Sequence, residues 1–484
     1  MILGIPEIIE NEKTSRLVCN VTVGKEVREI WFEVDKEYGQ YLCADRVDAF
    51  VIGLLSWAMR NGEDIICKAP ITEMLLYNIE KFLLPSVIKN AKNLHCPTIY
   101  ANTIDNIKDT AGAVGTGASC GIDSFHTIMN HLNSKFESMN LTHLCLNNVG
   151  AYNSAHDAES VRTAVIWRAQ KAAEELNLKL LSTNSNFAEV FPQNHLLTNT
   201  YTSMFAVFCL QKLWKVYYYS SGSDFSHFSL KENDLHDTAY YDLLLLDCFS
   251  LPNIKLYSEG ATKTRFEKIQ QVSSFPLAKK YLHVCIRKET NCGKCDKCKK
   301  TILVFDAIGK LKEFNQVFDT EQYDRERDRY LGLDCIKKDI GNMYYNDIYN
   351  VIKDDPQMKQ VEKRLQEHVK QCVQQLQGKK LVIYGAGEVG LMLYTLLKKE
   401  GYDQLLYWID KNDTLHGRKK VGIPILSYEE WKKVAKDLDL SEICMIISVI
   451  RQSNAVTQKI REDFGDKLEI VERSKIAFDW LEDV

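Results

Sequence analysis

Four cysteines within fourteen residues constrain this chain more than any other feature. They read Cys285, then Cys292-Gly-Lys-Cys295-Asp-Lys-Cys298. Two overlapping C-x2-C steps make tight turns that aim sulfurs at one point, and Gly293 eases the backbone between them. Lys288, Lys294, Lys297, Lys299 and Lys300 stand close by and offset thiolate charge. Four soft ligands at this spacing predict tetrahedral zinc on Cys285, Cys292, Cys295 and Cys298. With no coordination position left open, its role is structural. An iron–sulfur cluster and unligated thiols are the alternatives, and nothing else in the sequence suggests electron transfer. The other eleven of the fifteen cysteines are scattered among apolar neighbours, as in Leu144-Cys145-Leu146, and read as buried thiols.

The 484 residues suggest roughly two to four domains. A hydrophobic share of 45% and a charged share of 26% are those of ordinary globular protein. A net charge of -4 argues against a large nucleic-acid footprint, which shows as clustered Lys and Arg. The start, MILGIPEIIENEK, lacks the basic and apolar regions of a signal peptide. The longest apolar run, Ala49 to Met59, falls short of the roughly 20 residues needed to span a bilayer. The expectation is a cytoplasmic protein with no membrane partner.

Four segments follow along the chain. Residues 1–105 read as a small α+β domain. Alternating runs from Arg16 to Val23 and from Val27 to Val34 flank a hairpin turn, and Asp45 is placed to cap a helix ending at Gly62. Residues 106–310 alternate strands with helices: a strand to Asn147, a helix Ser160 to Leu176, a strand from Leu178. That order predicts a parallel sheet. Residues 311–377 read as a charged helical linker, with a long helix from Gln357 to Leu376. A fresh strand–helix–strand pattern occupies residues 378–484.

The second segment holds a glycine-rich turn, Gly115-Thr-Gly-Ala-Ser-Cys-Gly-Ile-Asp-Ser124, running straight into an amphipathic helix. Small residues before a helix N-terminus build an anion site from converging N–H groups and the helix dipole. Ser119 and Ser124 can donate to phosphate oxygens. Asp123 is at odds with an anion unless a divalent cation bridges the two, which predicts magnesium there. A plain helix cap is the competing reading. The order Ser-Cys-Gly-Ile-Asp-Ser resembles the Ser-Gly-Gly-x-Asp-Ser signature of the PP-loop ATP pyrophosphatases. Cys120 departs from it, standing where the family has the first glycine of a pair. If that position needs positive φ, Cys120 is strained; its thiol would otherwise narrow the pocket or act as a nucleophile.

Loop and cysteine cluster together resemble the 7-cyano-7-deazaguanine synthase (QueC-like) family over residues 110 to 305. The resemblance implies an α/β, adenine nucleotide alpha hydrolase-like (PP-loop) domain with structural zinc. It also implies ATP with magnesium on Ser119, Cys120, Gly121, Ile122, Asp123 and Ser124, with Asn147, Asn148 and Tyr152 near adenosine. Thr262-Lys263 matches a Thr-Lys pair of the family, so Lys263 and Arg265 join Asp123 and Ser124 as catalytic candidates that hold pyrophosphate. The expected reaction adenylates a carboxylate or amide of a small molecule or peptide, with ammonia then giving an amide or nitrile. A tRNA-thiolating relative and a non-catalytic nucleotide sensor are the alternatives. Ser221-Gly222-Ser223-Asp224 reads as a second polar loop facing substrate. His126, His143 and His156 read as structural.

In the last segment, Lys379-Lys-Leu-Val-Ile-Tyr leads into Gly385-Ala-Gly387-Glu-Val-Gly390, a helix, and a second strand ending at Asp410. This is a dinucleotide fingerprint in its proper context. The glycines allow close phosphate approach, and Asp410 is placed for ribose hydroxyls. A Rossmann-like domain is expected. The continuation to Gly422-Ile-Pro-Ile-Leu resembles small domains attached to sugar-modifying enzymes, which implies a nucleotide or nucleotide-sugar ligand rather than NAD(P) hydride chemistry. Homo-oligomerisation is compatible with the sequence and not specified by it.

Overall fold

The computed structural model describes all residues except 92, 152–157, 233, 451 and 482–484. Tyr152 and His156 therefore lie outside the described residues. The chain forms two compact units, Met1–Asn291 and Cys292–Val484. Both are mixed α/β and built on mostly parallel sheets.

In the first unit five parallel strands form in chain order: Ala113–Gly117, His143–Asn147, Lys179–Ser185, Trp214–Ser220 and Lys255–Glu259. Their order across the sheet is 3-2-1-4-5. The chain winds outward from Ala113–Gly117 through the next two strands. It then crosses back to lay Trp214–Ser220 against the other side of the first strand, pairing Gly115 with Tyr217 and Thr116 with Tyr218. That reversal is a topological switch point, and in open α/β sheets the crevice at the carboxyl ends of such strands is where ligands bind.

Residues 1–105, read from the sequence as a domain of their own, share this sheet. The hairpin Thr14–Val23 and Glu26–Asp35 forms as expected, its turn entered by Gly24 at φ +61°. Its second strand then pairs antiparallel with Lys179–Ser185, setting Asn184 against Glu33 and Ser185 against Phe32. One apolar core runs continuously from Met1 and Leu3 through Phe32, Phe50 and Phe205 to Leu256. The helix expected after Asp45 spans Asp48–Asn61 and closes at Gly62, φ +73°. Asp45 does not cap it. The N-cap is Val47, and Asp45 turns to Arg46 at 2.8 Å. An ion pair with the adjacent guanidinium replaces the cap.

The second unit repeats the winding. Its parallel strands Lys380–Tyr384, Leu405–Ile409, Ile423–Leu426, Ile443–Ile447 and Glu469–Glu472 again lie in the order 3-2-1-4-5. The charged stretch read as a linker is packed into this unit: Thr320–Asp339 and Pro356–Gln375 pack together, and both pack on the helix Glu388–Lys399. Among the described residues no helix is long and apolar enough to cross a membrane.

Candidate functional site

Two loops leave the switch point of the first unit. After Ala113–Gly117 the chain passes through Ala118, Ser119 and Cys120 to Gly121, the N-cap of the helix Ile122–Asn130. Among the described residues no side chain caps this helix, and its N-terminus follows the carboxyl end of Ala113–Gly117 after four residues. Cys120 is left-handed at φ +57°, the conformation the family's glycine would favour. A non-glycine residue held there is strained, on the order of 1–2 kcal/mol. Its sulfur points inward and is 1% exposed; burial pushes the thiol up to about 12. Neither the nucleophile nor the narrowed pocket is what this geometry provides. The Cys120 carbonyl accepts the His283 N–H at 2.8 Å, which ties the loop to the segment leading into Cys285. Ser119 is exposed, its hydroxyl 3.3 Å from that of Ser124.

After Trp214–Ser220 comes the second loop, Ser221-Gly222-Ser223-Asp224. Between the two sits Asp123. Its Oδ2 accepts Arg265 Nη1 at 2.7 Å and its Oδ1 accepts Lys268 Nζ at 3.3 Å. The same cations reach the second loop: Arg265 Nη2 donates to the Gly222 carbonyl at 3.2 Å, and Lys268 Nζ to the Ser221 carbonyl at 2.8 Å. Burial alone would raise the Asp123 pKa, but Arg265 and Lys268 outweigh it and hold the carboxyl below its ordinary range. Burial pulls the Lys268 ammonium down, opposed chiefly by Asp123.

This arrangement bears on magnesium. Both Asp123 oxygens are committed to cations in this structure, so neither is turned toward the metal-ligand role expected of it.

Of the other expected residues, Arg265 is at the site, whereas Lys263, just before the helix Arg265–Val272, pairs loosely with Glu267 at 3.9 Å. Asn147 ends the second strand and Asn148 follows it, and both bond the neighbouring strand: Asn147 Oδ1 accepts the Thr183 hydroxyl at 3.0 Å, and Asn148 Nδ2 donates to Asn184 Oδ1 at 2.6 Å. Asp224 caps a short turn and meets His227 at 2.8 Å. His126 bonds Gln271, and His143 packs edge-on against Trp214 with burial holding its pKa near 4. Two residues that no motif marks, Lys268 and Asp242, carry buried charges around the second loop. Their only sequence signal is a charge at a core-facing position of a short helix.

The four cysteine sulfurs lie within 4.8 Å of one another, and all four thiols are free of disulfides. Cys292 and Cys298 Sγ are 4.0 Å apart. A tetrahedron with zinc–sulfur bonds of about 2.3 Å has edges of about 3.8 Å. The cluster therefore fits a metal ion such as zinc. Asn291 braces the approach, its Oδ1 accepting the N–H of Val284 at 2.8 Å and of Cys285 at 3.2 Å.

In the second unit Gly385 has φ +110°, and a Cβ on Gly390 would strike the Gly385 carbonyl oxygen. Asp410 Oδ2 accepts the Ala386 N–H at 2.8 Å, and Lys420 Nζ donates to the Gly387 carbonyl at 2.9 Å. Gly385, Gly387, Gly390 and Asp410 thus meet at the second switch point, joined by Lys420, which no motif marks.

No family model, curated protein or solved structure matches this chain. The site must be judged on its own chemistry.

Proposed function

We propose that the unit Met1–Asn291 binds ATP at its switch point and adenylates a carboxylate, or amide, of a small molecule or peptide. One observation carries this reading: an uncapped helix N-terminus, Arg265 and Lys268 converge at Asp123 between the two switch-point strands. Backbone N–H groups and two cations are what a polyphosphate requires. The resemblance of Ser-Cys-Gly-Ile-Asp-Ser to the PP-loop signature favours release of pyrophosphate over release of phosphate.

The substrate carboxylate oxygen attacks the α-phosphorus. An acyl–O–P bond forms, and the α–β P–O bond breaks with its electron pair on pyrophosphate. Arg265 and Lys268 stabilise that leaving charge, and the fixed helix holds the chain in line. Ammonia then attacks the acyl carbon, AMP departs, and loss of a proton leaves an amide. A second adenylation, on the amide oxygen, followed by loss of AMP and a proton gives a nitrile. Zinc on the four cysteines supplies a cross-link, not a reaction step. The second unit binds a nucleotide or nucleotide-sugar through Gly385, Gly387, Gly390 and Asp410.

The test is exchange of labelled pyrophosphate into ATP with candidate acids. Acid-dependent exchange is expected, AMP being the nucleotide product, with about a hundredfold loss or more in Asp123→Ala. ADP as product would contradict the reading. AMP formation stimulated by tRNA would favour the thiolating alternative, and nucleotide binding without turnover the sensor.

A further inference from the structure

Behind the second loop lies a carboxylate at a helix start. Asp242 is 3% exposed and opens the helix Asp242–Phe249. Its Oδ2 accepts the Ser221 hydroxyl at 2.6 Å, and its Oδ1 the Ser258 hydroxyl at 2.9 Å. The loop is therefore gripped from two sides. From behind, Asp242 holds the Ser221 side chain. From the crevice, Lys268 and Arg265 hold the carbonyls of Ser221 and Gly222. Whatever fixes Ser221 also fixes the acceptors that locate both cations.

We infer that Asp242 is a positioning residue: through Ser221 and the loop carbonyls it sets Lys268 and Arg265 for an anionic polyphosphate. The inference deepens the adenylation reading and rests on it for the identity of the ligand. Asp242 touches no reacting atom; it acts through Ser221.

The groups facing Asp242 are few. Lys268 comes from the helix Arg265–Val272, with Asp123 beyond it, Ser258 from the edge strand, and Tyr219 from the switch-point strand. Burial raises the Asp242 carboxyl to about 6, against the pull of the two seryl hydrogen bonds and Lys268. The grip is thus made by a carboxylate at neutral pH and by a neutral acid in mild acid. A neutral acid must donate one proton where the carboxylate accepts two, so one seryl hydrogen bond reverses or breaks.

The experiment uses the full chain, wild type and three variants: Asp242→Asn, Ser221→Ala and the double variant. In the ligand-free proteins, amide exchange of residues 220–224 should rise about tenfold or more in Asp242→Asn, with that of His143–Asn147 unchanged. Pyrophosphate affinity by calorimetry should fall about tenfold in Asp242→Asn and equally in Ser221→Ala, with no further loss in the double variant. The ratio of wild-type to Asp242→Asn affinity cancels the ionisation of pyrophosphate itself. It should be about ten at pH 8 and approach one below pH 5. A merely structural loss would not follow that profile. Unchanged exchange at 220–224 overturns the inference, as does a silent Ser221→Ala or a ratio independent of pH. If wild type binds no pyrophosphate, the adenylation reading falls, while the exchange measurement still decides whether Asp242 positions the loop.

Discussion

Replacing Asp123 by asparagine keeps the side-chain shape and removes the charge that Arg265 and Lys268 share. The two cations are not equally able to respond. Arg265 is 23% exposed and can turn toward water, whereas Lys268, at 1%, is locked in. Its ammonium would keep the Ser221 carbonyl and lose its ion pair. Removing one partner of a buried pair costs about 3–5 kcal/mol. The 25% exposure of Asp123 and the escape of Arg265 reduce that to about 2–4 kcal/mol. The cost has a pH signature. Without Asp123 the Lys268 pKa falls further below its unfolded value, so the folded variant binds fewer protons than the unfolded chain and gains stability as pH rises. The deficit against wild type is therefore largest near neutrality and shrinks toward pH 10. Native-state hydrogen exchange of Ala113–Gly117 in low urea reads the stability of this unit directly. Adding Lys268→Met to Asp123→Asn removes the stranded charge and should recover more than half of the loss. An Asp123→Asn variant within about 0.5 kcal/mol of wild type at pH 7, or no recovery with methionine, would refute the reasoning.

Asp334 in the second unit is fully buried, and among the described residues neither of its oxygens has a hydrogen-bond partner; burial pushes its carboxyl up to about 8. The folded chain keeps a proton that the unfolded chain releases near pH 4, so this group costs stability as pH rises between the two values. The stability of Asp334→Asn relative to wild type should grow by about 1.4 kcal/mol per pH unit from pH 5 to 8; a flat difference in urea unfolding would count against it. For the cysteine cluster, the purified chain should carry about one zinc per molecule by elemental analysis, and Cys298→Ser should lose it. Chelation should also speed amide exchange at residues 118–121, because Cys285 lies two residues from His283, whose N–H holds the Cys120 carbonyl. A coloured protein containing iron, or metal-free thiols with an unchanged loop, would overturn that expectation.

Short-range patterns made much of this fold legible. The hairpin around Gly24, the strand ending at Asp410 and the cysteine spacing are local, and each appears where propensity and turn chemistry put it. At Cys120 the sequence left three readings open, strain at positive φ, a narrowed pocket or a nucleophile, and the backbone at φ +57° corresponds to the first. Long-range register was not readable. Nothing in Glu26–Asp35 announces that it pairs with Lys179–Ser185, so the N-terminal residues looked like a separate domain. The partners of Asp123 were hidden for a related reason. Lys268 and Asp242 sit at inward positions of short helices far along the chain, and only the reversal at the switch point brings them beside the loop. Asp45 shows the converse: a plausible cap was drawn off by its own neighbour, Arg46.

A crystal structure of the chain with α,β-methylene-ATP, which cannot be cleaved to pyrophosphate, bears most directly on the nucleotide site. The triphosphate should lie against the N–H groups of residues 121–124, with Arg265 turned off Asp123 onto its β- and γ-phosphates and Lys268 held in place beside them. A triphosphate bound elsewhere, or a crevice still closed by the Asp123–Arg265 ion pair under saturating nucleotide, would contradict it.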